Sequence, residues 1–346
     1  MRSRFVSSLL LASLFATVLA VSPAHAAGRM LYVSTAGDDD AVGTIDAPWR
    51  SLAVAMRRLA PGDTLFVRGG TYREYLGWNV RAGTSTAPIR LVGYPGERVV
   101  VMGLLKLVKG HYWHVNRINV TRDPNKPLLQ ALVKFTDGVG WRYMNSEVWG
   151  ARGVSNLMVN GTTTGQPRNY RITGNCIHDN DSTGDDWMNY HNIYLYPGYT
   201  SGPGLIERNI MFNAEKGNNI KAAGPHSGRG AAYVTIRYNT MARAGQGVVV
   251  AYGSHHIKLY RNLITHRRGG SSWYPAIRGY EVSGAGNKAW DNASARYDSV
   301  LRSTISKRPI ANGGGNRKIT VRYNSASDCS GWRPTTSAAK AYGRYA

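Results

Sequence analysis

From about residue 60 onward the chain reads as short apolar runs that alternate with polar positions and are broken by Gly, Asn or Pro. "YWHVNRINV" (112–120) has a period of two and no helical stripe. A segment of the form apolar-x-x-Asn-x-apolar keeps returning. It appears as "ITGNCI" (172–177), "IERNIM" (206–211), "IRYNTM" (236–241), "LYRNLI" (259–264) and, less regularly, "VRYNSA" (321–326). Asn175, Asn209, Asn239 and Asn262 are spaced by 34, 30 and 23 residues, and Asn324 follows after 62, room for two or three further turns. Short strands recurring at this period predict a repeat architecture. A propeller needs about 40 residues per blade and its own signature, which is absent. A solenoid stacks equivalent segments at about 4.8 Å, so that like residues form ladders. Asn suits such a corner because it tolerates the left-handed conformation and can bond to the Asn of the next coil.

The same alignment sets the strands before those corners in register. "HNIYLY" (191–196), "NNIKAA" (218–223), "GVVVAY" (247–252) and "PAIRGY" (275–280) become successive rungs. Ile193, Ile220, Val248 and Ile277 then point inward. Tyr194, Lys221, Val249 and Arg278 form one outward column, and Tyr196, Ala223, Ala251 and Tyr280 the next.

Residues 1–26 stand apart. A basic "MRSR", an apolar "FVSSLLLASLFATVLAV" and Ala24-His25-Ala26 make a secretory signal peptide, so the protein is expected to be secreted, with no membrane span. Residues 27–346 are expected to form one domain. The segment "LYVSTAGDDDAVGTIDAPWRSLAVAMRRLAPGDTLFVRGGTYRE" (31–74) reads strand, loop, short amphipathic helix, strand, Gly-Gly turn. It resembles the opening of secreted right-handed parallel β-helix proteins of the pectate-lyase superfamily. The resemblance implies an all-β, single right-handed parallel β-helix with a short N-terminal capping helix. Residues 27–75 would be the cap and first coil, and 328–346 a C-terminal tail. Asp38, Asp39, Asp40 and Glu74 match the capping segment and are read as structural.

The chain carries 43 Lys+Arg against 20 Asp+Glu, a formal charge of +23; without Arg2 and Arg4 the balance is +21. Basic residues are spread from Arg29 to Arg344, so the surface attracts polyanions such as acidic polysaccharide. No nucleic-acid-binding motif accompanies the charge. A monomer is expected. Cys176 and Cys329 would lie five or more rungs apart if both were on coils, over about 20 Å, beyond disulfide reach. Two separate thiols are therefore expected; a bridge would need the tail to fold back along the helix.

One acidic cluster interrupts the basic chain. "HDNDSTGDDWMNYH" (178–191) holds Asp179, Asp181, Asp185 and Asp186, hard oxygen ligands of the kind that suit Ca²⁺. It directly precedes the rungs that carry Lys221. Lyases of the resembled superfamily cleave uronic-acid polymers by β-elimination, which needs a base for the proton α to the carboxylate and positive charge for the enolate-like state. Lys221 is the candidate base, with His191 as substitute base or leaving-group acid. Arg278 or Arg237 would bind substrate carboxylate, and Tyr190, Tyr194 and Tyr196 would offer a sugar-stacking surface. "NNIKAAG" resembles the lysine-bearing strand of calcium-dependent lyases of this fold. The next rung carries Val249 and Ala251 where the chondroitinase and alginate-lyase type has arginine. Hydrolysis or epimerisation on the same fold stays open, with Asp185 and Asp186, or Asp181 and Glu207, as the acid pair. So does a non-catalytic polyanion-binding role.

Overall fold

The computed structural model describes residues 28–77, 80–162, 167–180, 190–196, 202–224, 228–265, 274–321, 329–330 and 337–344. The leader, residues 1–26, lies outside them, as do Asp181, Asp185, Asp186 and Asn324. The described chain coils through three parallel sheets of 11, 10 and 9 strands, here sheets 1, 2 and 3. Each coil visits them in that order. Tyr170–Thr173 lies in sheet 1, Cys176–His178 in sheet 2 and His191–Tyr196 in sheet 3, and Gly204–Glu207 then returns to sheet 1 one rung on. This is a right-handed parallel β-helix, as the repeats required.

Alternation dictates the core. Ile172, Ile206, Ile236 and Leu259 stack from sheet 1, Ile177, Met211, Met241 and Ile264 from sheet 2, and Ile193, Ile220, Val248 and Ile277 from sheet 3, all fully buried. Phe135, Trp141 and Tyr170 stack face to face in the same interior, with centroids 4.0 and 4.8 Å apart.

The corner between sheets 1 and 2 carries the asparagine ladder. Asn175, Asn209, Asn239, Asn262, Asn292 and Asn316 follow one another, each Nδ2 donating to the next Oδ1 at 2.9–3.0 Å. The fifth and sixth members are thus Asn292 and Asn316, whose flanks "WDNAS" and "GGNRK" blur the repeat. The conformational reading needs a correction too. The left-handed residue is the one before the ladder Asn: Arg208, Tyr238, Arg261 and Asp291 have φ of 50–55°. That residue turns the chain outward, which frees the Asn side chain to turn in and bond along the stack. A second, shorter ladder joins Asn156, Asn192 and Asn219 at the entry to sheet 3, at 2.9 and 2.8 Å.

Helix α1 (Leu52–Arg58) covers the open N-terminal end with Leu52, Ala55 and Met56. Glu74 accepts from its first amides, Leu52 N at 2.9 Å and Ala53 N at 2.8 Å, and Asp39 accepts from Ser51 N at 2.8 Å. Both acids cap the helix start, where unpaired N–H groups and the dipole favour negative charge.

The tail overturns the reading of the cysteines. Cys176 and Cys329 form a disulfide, with Cα atoms 5.9 Å apart. The outer face of sheet 2 is itself apolar, and the tail folds back to cover it. Cys329 packs with Cys176, Ile210, Phe212 and Ala242, while Ala339 and Tyr342 pack on Leu263 and Ala293. The coil-to-coil distance was irrelevant because Cys329 is on no coil.

Candidate functional site

Sheet 3 presents the outward column that the rung alignment called for, and extends it at both ends. Its register runs Lys106, Lys134, Met158, Tyr194, Lys221, Val249, Arg278, Arg302. Five of these eight positions are basic and none is acidic. Lys106, Lys134 and Arg302 were missed from sequence; the alternation in "LLKLV" and "ALVKFT" was the available signal, but no Asn motif anchors it on those early coils.

Lys221 sits half-buried at the centre. Its ammonium lies 5.5 Å from the centroid of the Tyr194 ring on the preceding rung. Burial pushes its pKa below the ordinary lysine value, because the charged form loses water. Among the described residues no carboxylate pairs with it. Lys134 is lowered as well, by burial and then by the charge of Lys106. On the far side Val249 and Ala251 are almost wholly covered and pack with Ala223 under Tyr194, Tyr252 and Tyr280. Arg278 follows, its guanidinium 4.6 Å from the ring of Tyr280 and 5.5 Å from that of Tyr274, with Nε 3.2 Å from Thr304 Oγ1. The arrangement is a row of positive charge interleaved with aromatic faces.

The remaining candidates divide. Tyr196 shares the strand and face of Tyr194, with ring centroids 5.4 Å apart. Tyr190 stands at the entry to the same strand, partly exposed. His191 is fully buried, its Nδ1 3.2 Å from the Asn218 amide and its ring edge-on to Tyr194 at 5.4 Å. An imidazole in that position packs against Tyr194 and is closed off from solvent. Arg237 is on sheet 1, outside the column. Its Nε and NH2 reach Glu207 Oε2 at 2.8 and 2.7 Å, and its NH1 reaches the Tyr260 hydroxyl at 2.9 Å. The strand alternation of "TIRYNT" could not tell which of three sheets it joins.

Of the four candidate metal ligands, the structure describes one. Asp179 occupies the left-handed corner between sheets 2 and 3. His178 Nδ1 lies 2.8 Å from its Oδ2, and Asn213 Nδ2 donates to its Oδ1 at 2.6 Å. His178 in turn reaches Glu147 Oε1 at 3.1 Å through Nε2 and stacks on Phe212. Burial opposes the charge on Asp179, but the bonds from His178 and Asn213 prevail and hold its carboxyl below the usual range. Both oxygens are therefore engaged by protein donors, and Asp179 does not fit as a free cation ligand. Asn180 ties the two ends of the 181–189 segment, donating to the carbonyls of Gly153 at 3.0 Å and His191 at 2.8 Å.

Known proteins resemble this chain at both levels. Residues 31–176 match the model of the Pel9A-like right-handed β-helix region. Pectate lyase PEL9 of Emericella nidulans is 41% identical over 93 residues, 27% of this chain and 21% of that protein. An uncharacterised Bacillus subtilis protein, YwoF, is 42% identical over 76 residues, 22% of this chain and 16% of its own. The matches thus span about a fifth of these curated relatives. In three dimensions the solved pectate lyase Pel9A superposes with a TM-score of 0.59 at 14% identity, covering 83% of this chain and 80% of that one. XylC in complex with xylose gives 0.61 at 12%, covering 85% and 71%. A rhamnogalacturonan lyase gives 0.54 at 13%, covering 83% and 88%. At these identities the superpositions establish the fold.

Proposed function

We propose that this parallel β-helix protein, with its Pel9A-like region, is a polysaccharide lyase that cleaves a uronic-acid-containing polysaccharide by β-elimination, with Lys221 as the base. One observation carries the reading: a half-buried lysine, held toward its neutral form by burial, at the centre of a basic column bordered by tyrosines. A neutral amine there takes the proton from the carbon α to the uronate carboxylate. The electron pair left behind forms the double bond as the glycosidic C–O bond at the β carbon breaks. One product carries an unsaturated uronate; the departing oxygen takes a proton from water and becomes the hydroxyl of the other product. Arg278, two rungs on at about 10 Å, holds a neighbouring carboxylate, and Lys106 and Lys134 extend the track upstream. Tyr194 and Tyr196 supply flat surface for sugar rings.

Calcium remains part of the proposal only through Asp181, Asp185 and Asp186, because Asp179 is engaged elsewhere. No step above depends on it. Hydrolysis is the weaker reading. It wants two carboxylic acids roughly 5 to 9.5 Å apart beside the substrate. Of the four acids named for it, Glu207 is the one described, and it is paired with Arg237 on another sheet.

The test is product absorbance in the unsaturated-uronate band on pectate, alginate and glycosaminoglycans. Absorbance that falls at least 100-fold in Lys221→Ala is the expected result, in line with the usual contribution of a general base. New reducing ends without absorbance would replace elimination by hydrolysis. Binding without either product would leave a carbohydrate-binding protein.

A further inference from the structure

Sheet 1 bears a second basic column, on a flank the proposed cleft does not use. Arg90, His114, Arg142 and Arg171 occupy four successive rungs, followed by Leu205 and Thr235. A cavity of about 600 Å³ opens over its middle, lined by Tyr112, His114, Arg142, Arg171 and Tyr260 among others, with no acidic side chain in the lining. Arg237 at its edge is neutralised by Glu207. Arg142 and Arg171 have no carboxylate partner among the described residues. Like charges facing each other on neighbouring rungs repel. Burial, then the charges of Arg171 and Arg90, holds Arg142 below the ordinary arginine value. Burial, Arg142 and Arg90 push His114 down to about 4, so its imidazole is neutral at neutral pH.

Tyr170 closes the cavity from beneath, 1% exposed, its ring stacked inward on Trp141. Gly204 faces it on the next rung, where any Cβ would collide with the phenol ring. Charges without counter-ions and a neutral imidazole therefore converge on one polar cavity.

We propose that the sheet 1 cavity is a second, non-catalytic site that binds acidic sugar units of a polyanionic glycan. Arg142 and Arg171 pair with carboxylates on successive sugars, whose advance along an extended chain is close to one rung. The neutral imidazole of His114 bonds to sugar oxygens. Only the choice of glycan rests on the lyase reading. A chain held on this flank raises the local concentration of substrate at sheet 3 without new contacts there.

The experiment is affinity electrophoresis of the full chain through polygalacturonate, with neutral dextran and duplex DNA as comparison matrices. In a Lys221→Ala background there is no turnover, so binding is read alone. Adding Arg142→Ser and Arg171→Ser should weaken polygalacturonate retention at least tenfold. The same double change in the active chain should leave the initial rate on a short oligogalacturonate within twofold. His114→Phe, which keeps a ring and removes its nitrogens, should weaken retention about threefold. If the serine pair does not fold, Arg142→Lys with Arg171→Lys keeps the charge, loses the fork and should still cost about threefold. Unchanged retention in these variants would overturn the site. So would equal losses on DNA and polygalacturonate with no effect of His114→Phe, which would mean charge attraction alone. A wild-type chain that never yields unsaturated product but shows these losses would sink the lyase reading and leave this site standing.

Discussion

Tyr194 and Lys221 are partners in register on adjacent rungs of sheet 3, the lysine ammonium 5.5 Å from the tyrosine ring centroid. The ring takes water from one side of the amine and gives back only a weak cation–π attraction. That imbalance is what makes a lysine serviceable as a base below its free pKa of about 10.4.

The pH profile of elimination should report this. A base acts when deprotonated, so kcat/KM should rise with pH and level off with an apparent midpoint below that of free lysine. Removing the cover with Tyr194→Ala should move the midpoint upward. A rising limb whose position ignores Tyr194→Ala, or a limb that survives Lys221→Ala, would remove Lys221 from the mechanism.

Chelation separates the acidic residues. If residues 181–186 hold calcium, activity should fall when divalent cations are removed and return with added Ca²⁺, and Asp181→Ala or Asp185→Ala should mimic the loss. Asp179→Asn should keep most activity, since that carboxylate is already bound by His178 and Asn213. A larger loss from Asp179→Asn than from Asp181→Ala would contradict the present assignment.

The asparagine ladder should fail at the link that is cut. Asn239→Ala removes the acceptor used by Asn209 N at 3.1 Å and Asn209 Nδ2 at 2.9 Å, and the donor to Ile206 O at 3.0 Å. Buried groups left unsatisfied cost about 1–3 kcal/mol each before relaxation, so a net loss of roughly 3 kcal/mol is expected in urea unfolding. A loss under about 1 kcal/mol would mean that water replaces the side chain.

Reduction should release the tail and spare the coils. The Cys176–Cys329 bridge spans 153 residues of sequence, and its chain-entropy contribution is about 5 kcal/mol at most. Limited proteolysis of Cys329→Ser should cut within 319–346, while the far-ultraviolet β signal persists. Early loss of that signal would make the tail part of the core.

His178 gives the tail region a pH window. Burial disfavours its charged form, but the bonds to Asp179 and Glu147 outweigh this and raise its pKa. That contribution is full below the free histidine value of about 6.5 and disappears as pH rises through the folded value. Glu147 and Asp179 are lowered, so their share is present above about 4.3 and lost as pH falls. The difference in melting temperature between wild type and His178→Gln should therefore peak between about pH 4 and 6.5. A difference that is flat from pH 4 to 9 would deny the bridge.

What the sequence determined by itself was everything carried by a short period. Alternation placed Ile193, Ile220, Val248 and Ile277 inside and Lys221 beside Tyr194, and the spacing of Asn175, Asn209, Asn239 and Asn262 required a stack. These follow from strand geometry, which repeats every two residues and every rung. Tertiary structure alone decided which of three sheets a strand joins, and so separated Arg237 from Lys221. It also decided where a segment outside the repeat comes to rest, bringing Cys329 to Cys176 and engaging Asp179 with His178. Periodicity constrains neighbours along a strand and between rungs; it is silent about rotation around the coil axis and about a tail that obeys no period.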